Sequence, residues 1–446
     1  MVKKDWSAMT PDEKREERFN RWLNPAHVKF KDAAAEKAYK ERVTRFIKVI
    51  KLEEPDRVPV MLPTGTFPLY NAGMTLKDAM FDNKRAVAAY RKFFKEFESD
   101  TFTGPGMSAC GRAMDIANSI SMKWPGHGLP DDAAMNQFVE GEYMKAEEYD
   151  IFMDDLSDFI YRFYLPRSVG LLAPLAKMSP LSHLLGFSNN FMTPAMMPEV
   201  RAMYQGMIEY GKETADWGKP AMEFAREGLE AGYPSLMGGF GHAPFDILGD
   251  TLRGTKGIIT DMYRRPQKIH AALEKLVPIL VATGIEAAES MGGVMVMFPL
   301  HKGDDTFMSD AQYEEFYWPT FKKVILGIIE AGLVPYLFAE GKYTKRLKTI
   351  QELPKGKVVW LFDQTDMNKA KEVLGGKACI AGNVPTSLLQ VGAAKDVKAY
   401  CRQLIEVCGK GGGFILTAGA SIDKGKGKNL KAMWAAGQEY GVYKKK

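Results

Sequence analysis

The sequence predicts an α/β fold, a (β/α)8 TIM barrel, because short apolar runs end in polar residues and are each followed by a helical segment. Such continuously apolar runs are typical of parallel strands buried on both faces. Four of them lead to His301, Glu340, Asp363 and Asn383, and a fifth leads to Gly419-Ala420-Ser421. Active sites of these barrels lie at the carboxyl ends of the strands, so these positions are a candidate site.

Composition limits the classes of protein to consider. A chain of 446 residues accommodates one barrel with additions, here an N-terminal helical extension (1–52) and a barrel domain (53–446). The net charge of +5 is mild and its Lys and Arg are interspersed with acidic residues, so no nucleic-acid partner is expected. The four cysteines form no CxxC pair, and no signal-peptide or membrane-length apolar run occurs. These features favour a cytoplasmic protein without a membrane partner.

Two helices, followed by the first two strands, are predicted at the start of the chain. Thr10-Pro11-Asp12-Glu13 predicts a capping box that opens the first helix, and a second helix is expected over 32–51. We expect both helices to pack on the outside of the barrel. Strand one is predicted at 57–62 and strand two at 99–103, after a helix at 85–97.

A long insertion follows strand two. The next strand candidate, 233–237, comes more than a hundred residues later, and connections of this length are usually functional. We interpret residues 105–230 as a helical cap over the barrel mouth. The remaining strands are predicted at 293–298, 334–338, 358–362, 379–381 and 414–417, which completes eight.

A dense group of methionines lies within the predicted cap, between Met178 and Met207. Methionine fills irregular apolar gaps and also suits adaptable apolar pockets. The group therefore indicates either an ordinary core or a soft lid over an apolar or aromatic ligand.

Several ordered motifs of this chain resemble the uroporphyrinogen decarboxylase superfamily. They are Glu54–Val60, Ser309–Pro319, Asp363-Gln-Thr-Asp366, Leu374–Gly392 and Gly411–Ile422, and they extend from about residue 40 to the end. The resemblance implies a (β/α)8 barrel, in agreement with the strand count.

The resemblance points away from uroporphyrinogen itself. In true decarboxylases an Arg-rich segment after strand one holds the acidic tetrapyrrole, whereas the matching stretch here, Met61–Pro68, contains no arginine. The other branch contains corrinoid-linked methyltransferases, and those that act on coenzyme M bind zinc through a His-x-Cys pair and a later Cys. Here Phe338-Ala-Glu340 and Ala420 occupy these places. The chain looks closer to O-demethylase methyltransferases, which implies a cobalamin-carrying partner protein, a methoxylated donor and zinc as a candidate metal.

The candidate catalytic residues are Glu340, Asp363 and His301, which are also the candidate metal ligands. Glu340 at a strand end suits a metal ligand or a general acid, or a rim ion pair with a nearby lysine. Asp363 is either a site residue or a helix cap, although Asp366 is the better cap candidate. His301 could share a metal with a neighbouring carboxylate, with Asp304 close behind it, or simply bond a loop backbone.

Four further residues are candidates for substrate binding. His242 follows a Gly-rich stretch that permits close approach of a ligand, or merely forms a turn. Asn383 could orient a ligand or cap the next helix. Tyr70 and Asn71 follow strand one, where the related decarboxylases place substrate-binding groups.

Three functions remain open from the sequence. The first is a methyltransferase that passes a methyl group from a small, apolar or aromatic donor to a corrinoid on a partner protein. The second is a decarboxylase of a small cyclic or aromatic acid, and the third is a non-catalytic tetrapyrrole-binding protein. Polar residues clustered at strand ends favour an enzyme over the third. A homodimer is compatible with all three.

Overall fold

The computed structural model describes residues 5–105 and 108–444 of the chain. The ends of the predicted domains, 1–4 and 445–446, and residues 106–107 of the predicted cap lie outside this part. Within the described ranges, no helix has the length and apolar character needed to cross a membrane.

Two helices open the chain, α1 (Pro11–Leu23) and α2 (Ala33–Ile50). The predicted capping box of α1 is confirmed: the Thr10 hydroxyl accepts the Glu13 amide at 3.2 Å, and the Glu13 carboxylate accepts the Thr10 amide at 2.7 Å. These reciprocal bonds satisfy two amides that a helix start otherwise leaves unpaired.

Helices also dominate the stretch up to residue 230. The segment after the first apolar run contains α3 (Phe67–Asn71), α4 (Leu76–Phe81) and α5 (Asn83–Glu96). The insertion contains α6 (Gly111–Ala117), a small sheet of β1 (Met122–Pro125), β2 (Gly128–Leu129) and β3 (Gln137–Phe138), then α7 (Tyr149–Asp154), α8 (Leu156–Phe159), α9 (Leu165–Ser168) and α10 (Pro198–Glu230). Short 3-10 turns fill 170–196.

Six parallel strands form the main sheet in chain order, which shows an α/β fold. They are β4 (Met237–Phe240), β5 (Met295–Leu300), β6 (Val334–Ala339), β7 (Val359–Phe362), β8 (Cys379–Val384) and β9 (Phe414–Ala418). Between and after them lie α11 (Pro244–Asp246), α12 (Gly254–Arg264), α13 (Pro266–Met291), α14 (Asp310–Gln312), α15 (Trp318–Glu330), α16 (Leu347–Ile350), α17 (Met367–Leu374), α18 (Thr386–Val391), α19 (Ala394–Leu404) and α20 (Gly427–Tyr440).

Predicted strands one and two are extended segments rather than regular strands. Leu416 of β9 exchanges hydrogen bonds with Pro59 and Met61 at 2.9 and 3.0 Å, and Asp100 donates to Val60 at 3.0 Å. Phe102 then donates to the Pro234 carbonyl, just before β4, at 2.9 Å. Isolated bonds therefore link the two edges of the six-stranded sheet.

Predicted strand three was placed too early. The observed strand β4 begins at Met237 and includes glycines that we had assigned to a loop. A Cβ on Gly238 would lie 2.6 Å from the Cα of Gly293, and one on Gly239 would lie 2.6 Å from the Cβ of Ala287. Close packing of β4 on α13 and the start of β5 therefore requires glycine within the strand itself.

Alternate strand residues bury the sheet on both faces. One face, which includes Val296, Leu337 and Trp360, packs against the helices that connect the strands. The opposite face packs against α1 and α2, with Trp22 and Phe46 in one cluster with strand residues Met295, Val334, Tyr336, Val359, Leu361, Cys379, Ala381 and Ile415. We had expected the extension on the outside of the barrel, but it does not pack on the connecting helices. It packs against the opposite face of the sheet, which we call the inward face.

A segment of the insertion crosses the loops that follow the strands. Ala134 accepts a hydrogen bond from Thr66, after the first extended segment, and Met144 donates to Leu252, after β4, at 2.8 Å. Glu140 accepts from Lys302, after β5, at 3.1 Å. The segment 132–144 thus contacts the loops that follow the first extended segment, β4 and β5.

Candidate active site

His301 and Glu340 meet at the carboxyl ends of two neighbouring strands. Leu300 of β5 pairs in register with Ala339 of β6, so the next residue of each strand occupies the same level. Nε2 of His301 lies 3.6 Å from Oε1 of Glu340. Glu340 therefore pairs with an imidazole and not with one of the nearby lysines that the sequence offered as ion-pair partners.

Both side chains continue the inward face of the sheet. Met297 and Phe338 precede them by four and two residues, and strand side chains alternate between faces. Met297 and Phe338 are partly buried and belong to the inward cluster, as do Met61 and Met237. The polar pair therefore stands above a floor of methionine and phenylalanine side chains.

Two carboxylates from consecutive turns of one helical segment hold His301 and Lys302 in place. Asp250, in the turn Ile247–Leu252, accepts a 2.7 Å hydrogen bond from Nδ1 of His301 and lies 2.9 Å from Nζ of Lys302. Asp246, one turn earlier, accepts the backbone amides of His301 and Lys302 at 3.2 and 3.1 Å. Tyr317 also donates to Asp246, at 2.8 Å. Asp246 therefore holds the backbone of these two residues, and Asp250 holds their side chains.

Lys302 connects this cluster with the insertion. Its side chain is buried, and besides Asp250 its ammonium donates to Glu140 at 3.1 Å and to Thr255 at 2.8 Å. Two carboxylates and a hydroxyl thus satisfy a charge that burial alone would disfavour. The position of segment 132–144 is tied through this ammonium to the carboxylate that binds His301.

His301 is held as a cation. The hydrogen bond to Asp250 raises its pKa to about 9 against the effect of burial, and the negative charges of Asp246 and Glu340 add to this. For Asp250, burial favours the neutral acid, but hydrogen bonds from His301 and Lys302 outweigh it and lower the pKa. The pair is an imidazolium and a carboxylate at neutral pH.

The surrounding groups titrate differently. Burial, followed by repulsion from Asp250, raises the pKa of Asp246 to about 7. Burial also raises the pKa of Glu340, and Asp363 contributes in the same direction against the attraction of His301. The ring of His242 is open to solvent, yet desolvation by surrounding protein and the charge of His301 lower its pKa. An imidazolium therefore faces a histidine that favours the neutral form.

Asp363 lies beside this pair. Its Oδ2 accepts the amide of Gly341, the residue after Glu340, at 3.2 Å, and the side chain of Gln364 at 3.2 Å. Gly419 packs against it, since a Cβ there would lie 2.7 Å from Oδ1 of Asp363. The following helix, α17, is capped by Asp366, as the sequence predicted.

Asn383 lies with a different set of residues. Its amide nitrogen donates to the carbonyls of Asp363 and Thr365 at 3.0 and 2.9 Å, and its oxygen accepts from the Tyr400 hydroxyl at 3.4 Å. Asn383 and Asp363 both line a cavity of about 530 Å³ between the loops after β7 and β8 and helix α19. His301 and Glu340 are not among the residues that line this cavity, so the four predicted strand-end residues do not share one pocket.

Tyr70 and Asn71 end α3, away from the contacts of His301. The Tyr70 hydroxyl donates to the carbonyls of Asp132 and Ala133 in the insertion, at 3.4 and 3.3 Å. Asn71 is exposed. Tyr70 thus supports segment 132–144.

The donor set falls short of a zinc site. His301 Nε2 and Glu340 provide two donors within 3.6 Å of each other, whereas catalytic zinc takes three protein ligands and structural zinc takes four. Within 5–105 and 108–444, no group of three or more His, Cys, Asp or Glu is arranged to hold a metal. The cysteines are buried and free, at Cys110, Cys379, Cys401 and Cys408. We therefore derive no step through zinc.

Sequence reasoning missed the residues that organise the site. Asp304, the expected neighbour of His301, instead bonds Thr306 and Phe307. The actual partners, Asp246 and Asp250, lie some fifty residues earlier. Their spacing of four places both on one helix face directly after a strand end, and this was an available signal.

Comparisons with known proteins agree with this architecture. A solved methyltransferase from Methanosarcina mazei superposes with a TM-score of 0.58 at 16% identity, covering 89% of this chain and 98% of its own. A curated uroporphyrinogen decarboxylase from Syntrophotalea carbinolica is 23% identical over 189 residues, 41% of this chain. The match covers 53% of that relative, so the chain spans about half the length of the curated protein. The family model of uroporphyrinogen decarboxylase (URO-D) matches residues 208–440, more than half of the chain. The chain belongs to the uroporphyrinogen decarboxylase family.

Proposed function

We propose that this protein is a methyltransferase that transfers a methyl group from a small methoxylated donor to a corrinoid on a partner protein. The observation that carries the proposal is the cationic His301 at the strand ends, above the floor formed by Met61, Met237, Met297 and Phe338. Such a site suits an apolar or aromatic ether whose oxygen faces an acid. We also infer that the two extended segments complete a (β/α)8 barrel around it.

The residues account for activation of the ether. Nε2 of His301 donates its proton to the ether oxygen as the carbon–oxygen bond breaks, so the electron pair leaves on a neutral alcohol. Asp250 keeps the imidazolium oriented and stabilises its charge, as a carboxylate does for a catalytic histidine. Glu340, 3.6 Å from Nε2, lies where it can orient the donor against His301.

The corrinoid requires an open site. The side chains of His301 and Glu340 are 44% and 40% exposed, so a cofactor carried by a partner can approach them. When bound, the corrinoid supplies the nucleophile that accepts the methyl group. The cytoplasmic location and the absence of membrane or nucleic-acid partners stay predictions.

The test is formation of methylcobalamin from cob(I)alamin by purified protein, with a panel of methoxylated aromatics and methylamines. We expect a methoxylated aromatic to be used and His301→Gln to lose roughly 10²–10⁴ of the rate. His27→Gln is the control, because His27 is exposed between α1 and α2.

Release of carbon dioxide from a small aromatic acid, without methyl transfer, would show the decarboxylase instead. If none of the donors is demethylated even with a corrinoid protein present, the proposal fails.

A further inference from the structure

One stretch of the insertion contains no charged residue. Between Lys177 and Glu199 there is no Asp, Glu, Lys or Arg, although such residues make up 26% of the chain. We name residues 178–198 the apolar strip. It includes most of the methionine group noted in the sequence.

The strip is exposed. Every residue from Leu181 to Thr193 except Leu184 is exposed. Its four most exposed large apolar side chains are Leu185 (84% exposed), Phe187 (67%), Met192 (64%) and Met196 (77%), so the exposed surface is apolar. Apolar side chains presented together on a surface mark an interaction site.

The methionine group is divided between a small buried core and an exposed surface. Met178 and Met203 are buried in a small cluster with Leu175 and Val200, which anchors the strip to helix α10. Met192 and Met196 point away from that cluster into solvent. The anchored base gives the strip a defined shape, as a binding surface needs.

The strip lies at the far end of a long helix. Helix α10 has 33 residues and is therefore about 50 Å long. Its last residue, Glu230, accepts a hydrogen bond from Lys31 beside α2, at the amino end of the fold. The strip thus lies about 50 Å from the point where α10 meets the N-terminal extension. At this distance a second molecule has access to the strip.

The charges at the edge of the strip are self-complementary. Lys177 and Glu199 flank it and form an exposed ion pair at 2.9 Å, so the edge presents both signs and no excess of either. Under a two-fold axis the same surface meets itself, apolar strip on apolar strip, and each lysine can pair with the glutamate of the other copy. A partner of opposite charge has nothing to recognise here.

A lipid surface fits less well. The strip contains Ser182, Asn189, Asn190 and Thr193 among its exposed residues, and these groups would lose their hydrogen-bond partners in hydrocarbon. Arg201, the nearest further base, already donates to the carbonyls of Ala195 and Met196 at 3.0 and 2.7 Å. No basic cluster is available for anionic lipid.

We propose that the apolar strip is the surface through which two copies of this chain form a symmetric dimer. The interface is independent of the methyltransferase proposal, because none of its residues contacts His301 or Glu340. In this dimer the apolar strips of the two copies pack against each other across the two-fold axis.

The experiment measures the mass of the full-length protein by sedimentation equilibrium and light scattering. We expect a dimer at micromolar concentration, and the double variant Leu185→Asp, Phe187→Asp should raise the dimer Kd by roughly 100-fold or more. Val391→Asp is the matched control, since Val391 is 74% exposed at the end of α18, and it should remain dimeric. Circular dichroism and unchanged thermal melting show that the double variant is folded.

Site-directed cross-linking locates the contact. All four native cysteines are buried, so Ser182→Cys, Ser188→Cys and Asn190→Cys each add one accessible thiol. A short bis-maleimide should give a covalent dimer with at least one of them. A wild-type monomer at ~100 μM, a dimer unaffected by the double variant, or failure of all three cross-links would overturn the proposal. Flotation with vesicles of phosphatidylcholine and phosphatidylglycerol that the double variant abolishes would also overturn it, in favour of a membrane.

Discussion

Oδ2 of Asp250 lies 2.7 Å from Nδ1 of His301, and the same carboxylate lies 2.9 Å from the ammonium of Lys302. One carboxylate thus balances two cations that follow each other in the chain. Asp246 holds the amides of the same two residues. The backbone and the side chain of His301 therefore have separate structural supports.

Removal of the Asp250 charge should lower the pKa of His301. In Asp250→Asn the imidazolium loses its main stabilising partner, so its pKa should fall from about 9 towards its ordinary value of 6.5. Titration of the histidine resonances by NMR, with His301→Gln for assignment, measures this. Asp396→Asn, a change at an exposed carboxylate, should leave the resonance unmoved. An unchanged pKa in Asp250→Asn would mean that the other charges suffice.

The raised pKa of His301 predicts how stability depends on pH. The folded-state pKa, about 9, exceeds the ordinary value of 6.5, so folding binds a proton. The contribution of His301 to stability is complete below pH 6.5 and is lost as pH rises to about 9. Its size should not exceed ~2 kcal/mol, because the side chain is 44% exposed and screened by solvent. Urea denaturation of wild type and His301→Gln at pH 6 and 9.5 should show their difference shrinking with pH, and a growing difference would contradict it.

Glu340→Gln should lose activity without losing the fold. The side chain is 40% exposed at a strand end, so it contributes little to the core, whereas it lies 3.6 Å from the His301 nitrogen that donates the proton in the proposed reaction. We expect kcat to fall by roughly 10²-fold or more with thermal stability unchanged. Glu372→Gln on α17, which is exposed, is the control. Full activity in Glu340→Gln would show that the chemistry lies elsewhere.

Gly419→Ala should destabilise the protein by displacing Asp363. The added Cβ would lie 2.7 Å from Oδ1 and 2.9 Å from Cα of Asp363, so the loop after β7 must shift. Overpacking of this kind costs about 1–3 kcal/mol, which chemical denaturation resolves. Gly211→Ala in α10, where a Cβ meets nothing within 4 Å, should be neutral or stabilising. Equal stability of the two variants would refute the argument.

Uroporphyrinogen should not be a substrate. The stretch Met61–Pro68 offers no arginine to bind the acidic side chains of the tetrapyrrole. Chromatography of porphyrins after oxidation should show no coproporphyrin from the purified protein. Turnover at ~1 per second or faster would contradict this.

The sequence predicted those parts of the structure that depend on local pattern. Apolar runs located five of the six strands of the main sheet, and their ends located His301, Glu340 and Asp363. The sequence could not predict β4, because Gly238 and Gly239 are typical of a loop. Only the structure shows how closely α13 and Gly293 pack against them. The partners of His301 were likewise missed, since a contact between residues fifty positions apart depends on how the turn at 247–252 packs.

The packing of α1 and α2 on the inward face has a kinetic consequence. These helices pack against the sheet at the end where the strands begin. In the proposed reaction, a donor and a corrinoid carrier would therefore both reach His301 from the end where the strands stop. A large carrier bound there would trap a donor already inside and exclude one still in solution. Addition should therefore be ordered, with the small molecule first, and the demethylated alcohol should leave only after the carrier has departed.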